Sequence, residues 1–514
     1  MSGTIASRAR ETPHDVALVD DRGALTWAEL DAAVRSVGAR LRDVAGGPED
    51  RAAVLGENLL PTLVAHAAGI LAGVGTVATS RQLTAREMAD QFSDAGVRVA
   101  VTGPLALAAV LEAAAAAGVE TVVVHSVDNI PAGTVAWSSW TGGAGGLEPD
   151  PKRPARRPLV YTSGTTGRPR GTEVRWTTGT AGTAEEYAAV LAAGQNFPPG
   201  PHLVVGPLQH NGPLTAVRHL LSGEPVVVLG RFNAERVLVL IEKHRVTSSV
   251  MVPTHFSRLL GLPAEVRRSY DVSSLRSVPH TGAACPPDVK RAMIEWFGPI
   301  LTESYGGSEV GTLCRITSPE WLEHPKSVGR AVPPFEAVVV DESGSPLGPD
   351  AVGVLGFRAP ADRGVRYHGD PEKTAKAYIR PGVFTLGDVG YVDRDGYVHI
   401  TDRIADMVVS GGGNLYPAES ERVLASHPGV ADVAVIGVPH RDLGEVLKAL
   451  AMRRPGVPAA TEEELDAYCR RALAAYKCPK SYEFVETLSR NAMGKLDKRA
   501  LRRPYWQSER TIGG

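Results

Sequence analysis

The chain has 514 residues, of which 43% are hydrophobic and 22% are charged, and its formal net charge is −2. This length allows about three structural units, and the composition is that of a folded protein, which excludes a disordered chain and predicts an enzyme. The near-zero charge argues against nucleic acid or an anionic membrane as a partner, and four scattered cysteines without metal-ligand or disulfide spacing favour the reducing cytoplasm.

An amphipathic helix is the first element that the sequence predicts. Thr26 and Glu29 form a capping box, and apolar residues follow at helical spacing. The apolar stretch 62–78 is shorter than the ~20 residues of a membrane span and contains a histidine and glycines, so it predicts a buried helix and no membrane span. The stretch 141–158 is rich in Gly, Pro and Arg and predicts a surface linker.

Strands and helices alternate in the middle of the chain. Apolar runs at 202–206, 225–229 and 248–252 are interleaved with helical patterns, among them 233–244. This alternation predicts a parallel sheet covered by helices. Further along, two strand patterns predict a hairpin around Asp395–Gly396.

A smaller α+β unit of about 110 residues is predicted after Arg403. Its signals in chain order are a helix led by Pro417, a strand at 430–438, a second capping box at Thr461 and Glu464, and a strand at 482–488.

The segment Tyr161–Gly171, with the sequence YTSGTTGRPRG, carries the strongest local signal for binding. It follows a predicted strand and combines glycines with hydroxyl-bearing residues, so its backbone amides and hydroxyls can surround phosphate oxygens. It differs from the loop of P-loop NTPases because no Lys-Ser or Lys-Thr pair closes it. A polar surface turn is the structural alternative.

Four further strings resemble signatures of the acyl-adenylate-forming (AMP-binding) superfamily, in the order expected there: ESYGGSE at 303–309, FTLGDVGYVDRDGY at 384–397, TDRIADMVVSGGGNLYPAE at 401–419 and NAMGKLDKRAL at 491–501. Together with YTSGTTGRPRG they make the whole chain similar to a freestanding acyl- or aryl-CoA synthetase. The resemblance implies an α/β fold in which residues 1–402 form a large N-terminal domain of doubly wound sheets and a distorted β-barrel. Residues 403–514 would form a small C-terminal α+β domain joined by a hinge.

The resemblance also implies ATP and Mg²⁺ as ligands. Lys495 would neutralise the oxyanion of the acid and the α-phosphate, with Ser308 and Arg403 beside it, and Glu309 would hold Mg²⁺. The nucleotide site implied in this way consists of Thr162, Ser163, Gly164, Thr165, Thr166, Gly167, Gly282, Ala283, Ala284, Tyr305, Asp388 and Arg403. Structural alternatives for these residues are a solvated lysine, ion-paired or turn-forming acidic and basic side chains, and a core tyrosine.

The sequence gives weaker signals for the substrate pocket than for the nucleotide site. The candidates are His210, His280, Gly306 and Gly307, with Gly311, while Trp176 is a weaker one. A single histidine is more often structural than functional.

The chain departs from the superfamily pattern at a few positions. Arg170 replaces the usual lysine of the glycine-rich segment, Ser308 replaces threonine, and Gly413 stands where many relatives place another residue. Ala405 occupies the hinge position at which relatives usually have Asp or Lys. Because rotation about this hinge separates the two half-reactions of the family, the second half-reaction is the less certain part of the prediction.

Three functional hypotheses follow. In the leading one, the enzyme adenylates a small or medium acid, releases pyrophosphate and transfers the activated group to a nucleophile, most commonly coenzyme A, without a fused carrier domain. In the second, the acid is nitrite and the acceptor is an aryl amine, as in an ATP-dependent diazotase. The third, a nucleotide-binding regulator without catalysis, gives no reason to retain Lys495 together with Glu309 and Asp388.

Overall fold

The computed structural model describes residues 4–142, 146–148, 150–162, 170–174, 176, 181–194, 197–341, 343–360, 363–367, 370–403, 406–410, 413–440, 443–473, 475–490 and 496–506. The chain forms two compact units. The first comprises Met1–Pro325 and Val365–Thr374, and the second comprises Lys326–Gly364 and Ala375–Gly514. Both units mix helices with strands, so the predicted α/β class is confirmed. A domain division between residues 402 and 403 stays a prediction.

The first half of the first unit alternates helices and strands. Its elements are α1 (Ile5–Glu11), β1 (Val16–Val19), β2 (Ala24–Thr26), α2 (Trp27–Ala45), β3 (Arg51–Leu55), α3 (Leu60–Ala72), β4 (Gly75–Thr79), α4 (Ala85–Ala95), β5 (Val97–Thr102), α5 (Leu107–Ala117), β6 (Thr121–Val124), β7 (Val135–Ala136), α6 (Trp137–Thr141), β8 (Leu159–Thr162) and β9 (Arg170–Glu173). The strands β7-β6-β5-β3-β4-β8-β9 form one sheet in this order, parallel except for β9.

The second half of the first unit continues this alternation. Its elements are α7 (Ala184–Ala193), β10 (His202–Val204), α8 (Asn211–Leu214), α9 (Ala216–Leu221), β11 (Val226–Val228), α10 (Ala234–His244), α11 (Pro253–Leu260), α12 (Ala264–Arg268), β12 (Val278–Thr281), α13 (Pro287–Phe297), β13 (Leu301–Gly307), β14 (Gly311–Thr317) and α14 (Ser318–Glu323). Strand β11 pairs in parallel with β1 and β10, and β12 pairs in parallel with β13.

The second unit contains β15 (Arg330–Ala331), β16 (Glu336–Val340), β17 (Gly353–Arg358), part of α15 (Pro371–Lys376), β18 (Tyr378–Arg380), β19 (Val383–Val392), β20 (Val398–Arg403), β21 (Val408–Ser410), β22 (Gly413–Leu415), α16 (Pro417–Ala425), β23 (Val430–His440), β24 (Gly444–Arg453), α17 (Glu462–Ala472), β25 (Ser481–Phe484) and α18 (Lys498–Arg502). One sheet has the order β16-β17-β19-β18 with β20 on β19, and another has the order β22-β21-β24-β23 with β25 on β24.

Several local predictions are confirmed. Helix α2 begins after Thr26, whose side chain accepts from the Glu29 amide in the predicted capping box, and its apolar face is buried. Helix α10 begins after Asn233, α16 has Pro417 at its first position, and α17 has the predicted capping box.

Other elements differ from their predictions. The stretch 62–78 is divided between α3 and β4, because Gly73 adopts a left-handed conformation (φ 63°) that ends the helix. Residues 248–252 make only isolated bridges to both neighbouring strands. The β19–β20 hairpin exists, but Asp393 caps a longer turn by accepting from the amides of Asp395 and Tyr397. Among the described residues, no helix is both long and apolar enough to cross a bilayer.

Buried histidines predict that the protein loses stability in mild acid. Burial lowers the pKa to about 3 for His66 and to about 4 for His219, and His255 behaves like His219. An unfolded chain takes up these protons near pH 6.5, whereas the folded chain does so only near pH 3 to 4. Each buried neutral histidine therefore makes its full contribution to the free energy of unfolding above pH 6.5. Below pH 6.5 this contribution falls by about 1.4 kcal/mol per pH unit. Urea unfolding at pH 7.5 and 5.5 should show a lower midpoint at pH 5.5.

The variant His66→Asn removes one of these groups and should flatten the pH dependence, whereas His14→Asn at an exposed position should not. Equal midpoints for the parent protein at the two pH values would contradict the prediction.

Candidate active site

The carboxyl ends of three parallel strands bring predicted site residues to one edge of a sheet. Strand β10 connects to β12 through parallel bridges of Ser248 to His202 and Ser277, and β12 pairs with β13. His210 lies beyond the end of β10, the exposed residues 282–284 follow β12, and 308–309 follow β13. Ligands of α/β proteins bind at this edge, where loops from neighbouring strands converge. The fold therefore brings together candidate residues that are about 100 positions apart in the sequence.

A backbone irregularity shapes the part of this edge that carries Tyr305. The β13–β14 register shifts between Tyr305 and Gly306, and Tyr305 lies opposite Cys314. A Cβ atom on Gly306 would overlap the carbonyl oxygen of Gly311, so this position requires glycine. Gly282 has φ 89°, a conformation that also favours glycine. Backbone requirements thus explain part of the glycine content of the predicted site.

Substituting Gly306 by alanine should strain this edge. The added methyl group forces β13 and β14 apart, so the free energy of unfolding should fall by about 1–3 kcal/mol. Urea denaturation measures the effect. The matched variant Gly23→Ala, whose methyl group would meet no atom within 4 Å, should leave stability nearly unchanged. Equal effects of the two substitutions would contradict the prediction.

Glu309 lies in the turn between β13 and β14 and has a tyrosine beside it. The Tyr367 hydroxyl hydrogen-bonds to the Glu309 side chain, and burial together with this carboxylate raises the pKa of Tyr367. Among the described residues, no cluster of three or more His, Cys, Asp or Glu could hold a metal. Mg²⁺ commonly takes one or two carboxylates and completes its shell with phosphates and water, so a single partly exposed glutamate here fits a cation bound together with a nucleotide.

The glycine-rich segment lies between β8 and β9. Residues Ser163, Gly164, Thr165, Thr166 and Gly167, and the side chain of Thr162, lie outside the described part of the chain. Its flanks are fixed, because the Tyr161 hydroxyl donates to Asp94 at 2.7 Å and β8 pairs with β9 from Leu159 to Glu173. The phosphate-binding role of this segment stays a prediction.

The substrate candidate Trp176 is hydrogen-bonded to the residue that follows His210, another candidate. Trp176 is nine-tenths buried, and its Nε1 donates to Asn211 Oδ1 at 2.6 Å, next to His210. A Cβ atom on Gly212 would lie 3.3 Å from Val250, in the segment that bridges to β12. The region of His210 is thereby held against the same sheet edge. The substrate roles of His210, Gly306 and Gly307 stay predictions.

His280 belongs to a buried charged cluster. It is fully buried, packs edge-to-face on Phe256 at 5.3 Å, and lies 3.8 Å from Glu303. Glu303 also pairs with the buried Lys290 at 2.5 Å. Burial, with Lys290 nearby, lowers the pKa of His280 to about 3. A substrate role for His280 stays a prediction, and its surroundings are those of the core.

Sequence reasoning missed Lys290, Tyr367 and Asn211. Glu303 is the first residue of the string ESYGGSE, and this motif gives no sign of a buried partner. Tyr367 belongs to no string used above, and an isolated lysine in an amphipathic helix gives no signal of its own. Glu303 lies on the same face of the strand as Leu301 and Tyr305, and this position is the one available hint of a buried ion pair.

The second unit carries the remaining candidates. Asp388 on β19 lies opposite Arg403 on β20, and Asp388 is buried. The side chain of Arg403, and residues Ala405 and Lys495, lie outside the described part of the chain.

The segment that contains Lys495 is anchored on both sides. Arg490 and Leu496 form an antiparallel bridge, and α18 follows immediately. Lys498 pairs with Glu421 at 2.9 Å, and Arg502 with Asp406 at 3.1 Å. These ion pairs fix the chain directly after Lys495 to the second unit.

Two family models match the chain. One is described as "AMP-binding enzyme" and matches residues 5–362, and the other is described as "AMP-binding enzyme C-terminal domain" and matches residues 419–495.

Characterised relatives align along nearly the whole length. A 3-[(3aS,4S,7aS)-7a-methyl-1,5-dioxo-octahydro-1H-inden-4-yl]propanoyl:CoA ligase of Mycobacterium tuberculosis is 35% identical over 96% of this chain and 96% of its own. A feruloyl-CoA synthase of an Amycolatopsis species is 34% identical over 97% of both chains.

Solved structures of similar proteins also superpose along nearly the whole chain. The amide bond synthetase McbA from Marinactinospora thermotolerans superposes with a TM-score of 0.81 at 27% identity, covering 98% of this chain and 99% of its own. The o-succinylbenzoate CoA synthetase of Bacillus subtilis, in complex with its acyl-adenylate intermediate, has a TM-score of 0.76 at 26% identity and 98% coverage of both chains.

Proposed function

The chain belongs to the AMP-binding enzyme family as an AMP-forming ligase of the acyl-CoA synthetase type, and on this premise we propose that it joins a carboxylic acid to coenzyme A at the expense of ATP. In the first step a carboxylate oxygen attacks the α-phosphorus, the bond to the β-phosphate breaks, and pyrophosphate leaves. In the second step the thiol sulfur attacks the acyl carbon, the bond to the AMP oxygen breaks, and the thiol proton passes to solvent.

One observation carries the proposal. The exposed residues 282–284 follow β12 at the carboxyl edge formed by β10, β12 and β13, while Tyr305 lies near the end of β13 and Glu309 in the turn after it. A ring and adjacent backbone suit a purine, and a carboxylate suits a cation that accompanies phosphates. This combination supports a nucleotide as the ligand of that edge.

The catalytic roles follow from what each side chain can do. Glu309 would hold Mg²⁺, whose charge would lower the repulsion between the phosphates and the incoming carboxylate. Ser308 can donate a hydrogen bond to a phosphate oxygen, and Asp388 can accept from ribose hydroxyls. Arg403 and Lys495 would supply positive charge for the oxyanion and the α-phosphate.

Coenzyme A is the acceptor that the relatives favour. Two of the proteins compared above are named for CoA ligation with ring-bearing acids, feruloyl and an indane-type propanoyl group, and a third forms a succinylbenzoyl adenylate. We propose a ring-bearing carboxylic acid as the substrate class. The amide bond synthetase gives an amine as the competing acceptor, and no observation favours nitrite.

The test is a product assay. Enzyme, ATP and Mg²⁺ are incubated with a panel of aryl-propenoic, ring-bearing propanoic and straight-chain fatty acids, in parallel with CoA, with an amine, or with nitrite plus an aryl amine replacing the acid. Mass spectrometry identifies the products. We expect AMP, pyrophosphate and a thioester with the ring-bearing acids. An amide or a diazo product without any thioester would reject the CoA proposal, and a preference for fatty acids would reject the substrate class.

A further inference from the structure

A short, separate stretch of the sequence belongs to the first unit. Residues Val365–Thr374, called here the 365–374 segment, group with the first unit, although the residues before and after them group with the second. The segment includes Tyr367, the residue that contacts Glu309. Its placement thus brings a side chain from a distant part of the sequence to the proposed metal ligand.

Local hydrogen bonds fix the backbone at Tyr367. The Tyr367 amide donates to the Thr374 hydroxyl at 3.0 Å, and that hydroxyl donates to the carbonyl of Asp370 at 2.8 Å. The Thr374 amide donates to the same carbonyl at 3.1 Å. The Tyr367 amide is therefore tied to the first turn of α15, which fixes the backbone from which the ring projects.

The same segment contacts the strand that follows the glycine-rich loop. The buried Thr172 on β9 donates its hydroxyl to the carbonyl of Arg366 at 3.4 Å. Arg366 and Tyr367 are adjacent, so one dipeptide contacts both β9 and the turn that contains Glu309. Strand β9 follows the glycine-rich segment, for which the sequence predicts phosphate binding, and Glu309 is the proposed metal ligand.

We propose that Tyr367 is a positioning residue for Glu309, held in place by the backbone contacts of Arg366 and Tyr367. The inference rests on the proposed function. A carboxylate has two oxygens, and a hydroxyl that donates to one of them would leave the other available to a cation. Without this donor the Glu309 side chain has more rotational freedom. Ordering it would then reduce the free energy of binding Mg²⁺ with ATP.

The alternative is that Tyr367 only fills space. In that case its ring would matter and its hydroxyl would not. Tyr367→Phe keeps the ring and removes the donor, so it separates the two roles. A matched control is Tyr270→Phe, because the Tyr270 hydroxyl also donates to a glutamate, Glu235, at 2.8 Å on the surface of the same unit.

The experiment measures ATP binding by calorimetry over a series of Mg²⁺ concentrations. Loss of a hydrogen-bond partner to a metal ligand typically costs 10–100-fold in metal affinity, so Tyr367→Phe should raise the half-saturating Mg²⁺ concentration about 10-fold or more. Binding of ATP in EDTA and the melting temperature should stay as in the parent protein. Tyr270→Phe should behave as the parent protein does.

A second variant supports the measurement if Tyr367→Phe fails to fold. Thr374→Val removes the hydroxyl that fixes the Tyr367 backbone and should raise the Mg²⁺ requirement in the same direction. An unchanged Mg²⁺ requirement in a folded Tyr367→Phe protein would overturn the inference and leave the proposed function standing. Parent protein that binds ATP equally well with Mg²⁺ and with EDTA would instead overturn the metal role of Glu309, and with it this inference.

Discussion

The variant Lys495→Ala should lose about 10²–10³-fold in acid-dependent pyrophosphate release, the loss expected when one preorganised donor to developing negative charge is removed. The reaction brings a carboxylate onto a phosphate that already carries negative charge. A flexible ammonium group can approach both oxygens at once and lower this repulsion, whereas a methyl group cannot.

The Lys495→Ala substitution should slow the reaction without weakening the fold or the binding of ATP. The described residues on either side of Lys495 are fixed to the second unit by the Arg490–Leu496 bridge and by the ion pairs of Lys498 and Arg502, so truncating one side chain between them leaves these anchors in place. Affinity for ATP should change little, because Tyr305, Glu309 and Asp388 are unaltered. Circular dichroism and a melting curve verify the fold.

The control for this variant is Lys243→Ala, which removes an exposed lysine of α10. It should release pyrophosphate at the parent rate. Undiminished pyrophosphate release by a folded Lys495→Ala protein would remove this lysine from the mechanism. It would also weaken every other role that was assigned through the same family resemblance.

The local elements of the fold were largely predictable because their signals are local. The capping boxes before α2 and α17, the cap of α10 at Asn233 and the proline that opens α16 each act within one helical turn. Pairing between distant strands carries no such signal. Nothing in VALV at 16–19 indicates that β1 pairs with β11, about 200 residues later, because strand order depends on how all the helices pack.

The site shows the same contrast. Residues of short motifs, such as Tyr305 and Glu309, could be assigned by resemblance, and the fold accounts for their being close to 282–284. The contact of Tyr367 with Glu309 links residues 58 positions apart, and it depends on the course of the 365–374 segment. Such a contact has no periodic or motif signature, so it becomes visible only in three dimensions.

The ion pair of Lys290 with Glu303 should be costly to break. Both side chains are buried, the Nζ to Oε2 distance is 2.5 Å, and Lys290 also lies 4.6 Å from the ring centre of Trp321. Burial lowers the pKa of Lys290 and raises the pKa of Glu303, because surroundings of low polarity disfavour an isolated charge at either position. The partner is therefore what makes each charge tolerable.

Removing one partner should destabilise the protein strongly. Lys290→Met leaves a buried carboxylate and Glu303→Leu leaves a buried ammonium, so each should lower the free energy of unfolding by about 3–5 kcal/mol. The double variant leaves neither charge and should be more stable than either single variant. Urea denaturation of all four proteins gives the coupling between the two positions.

The expected result depends on burial, so an exposed ion pair provides the control. Arg236 and Asp21 pair at 3.2 Å with nearly half of each side chain exposed, and Asp21→Asn should cost about 1 kcal/mol or less. The buried pair also joins α13, which follows 282–284, to β13, which carries Tyr305 and leads to Glu309. Variants that break it should therefore lose ATP binding before they unfold globally. If the two single losses add up in the double variant, the pair has no coupling, and the stability of this edge has another source.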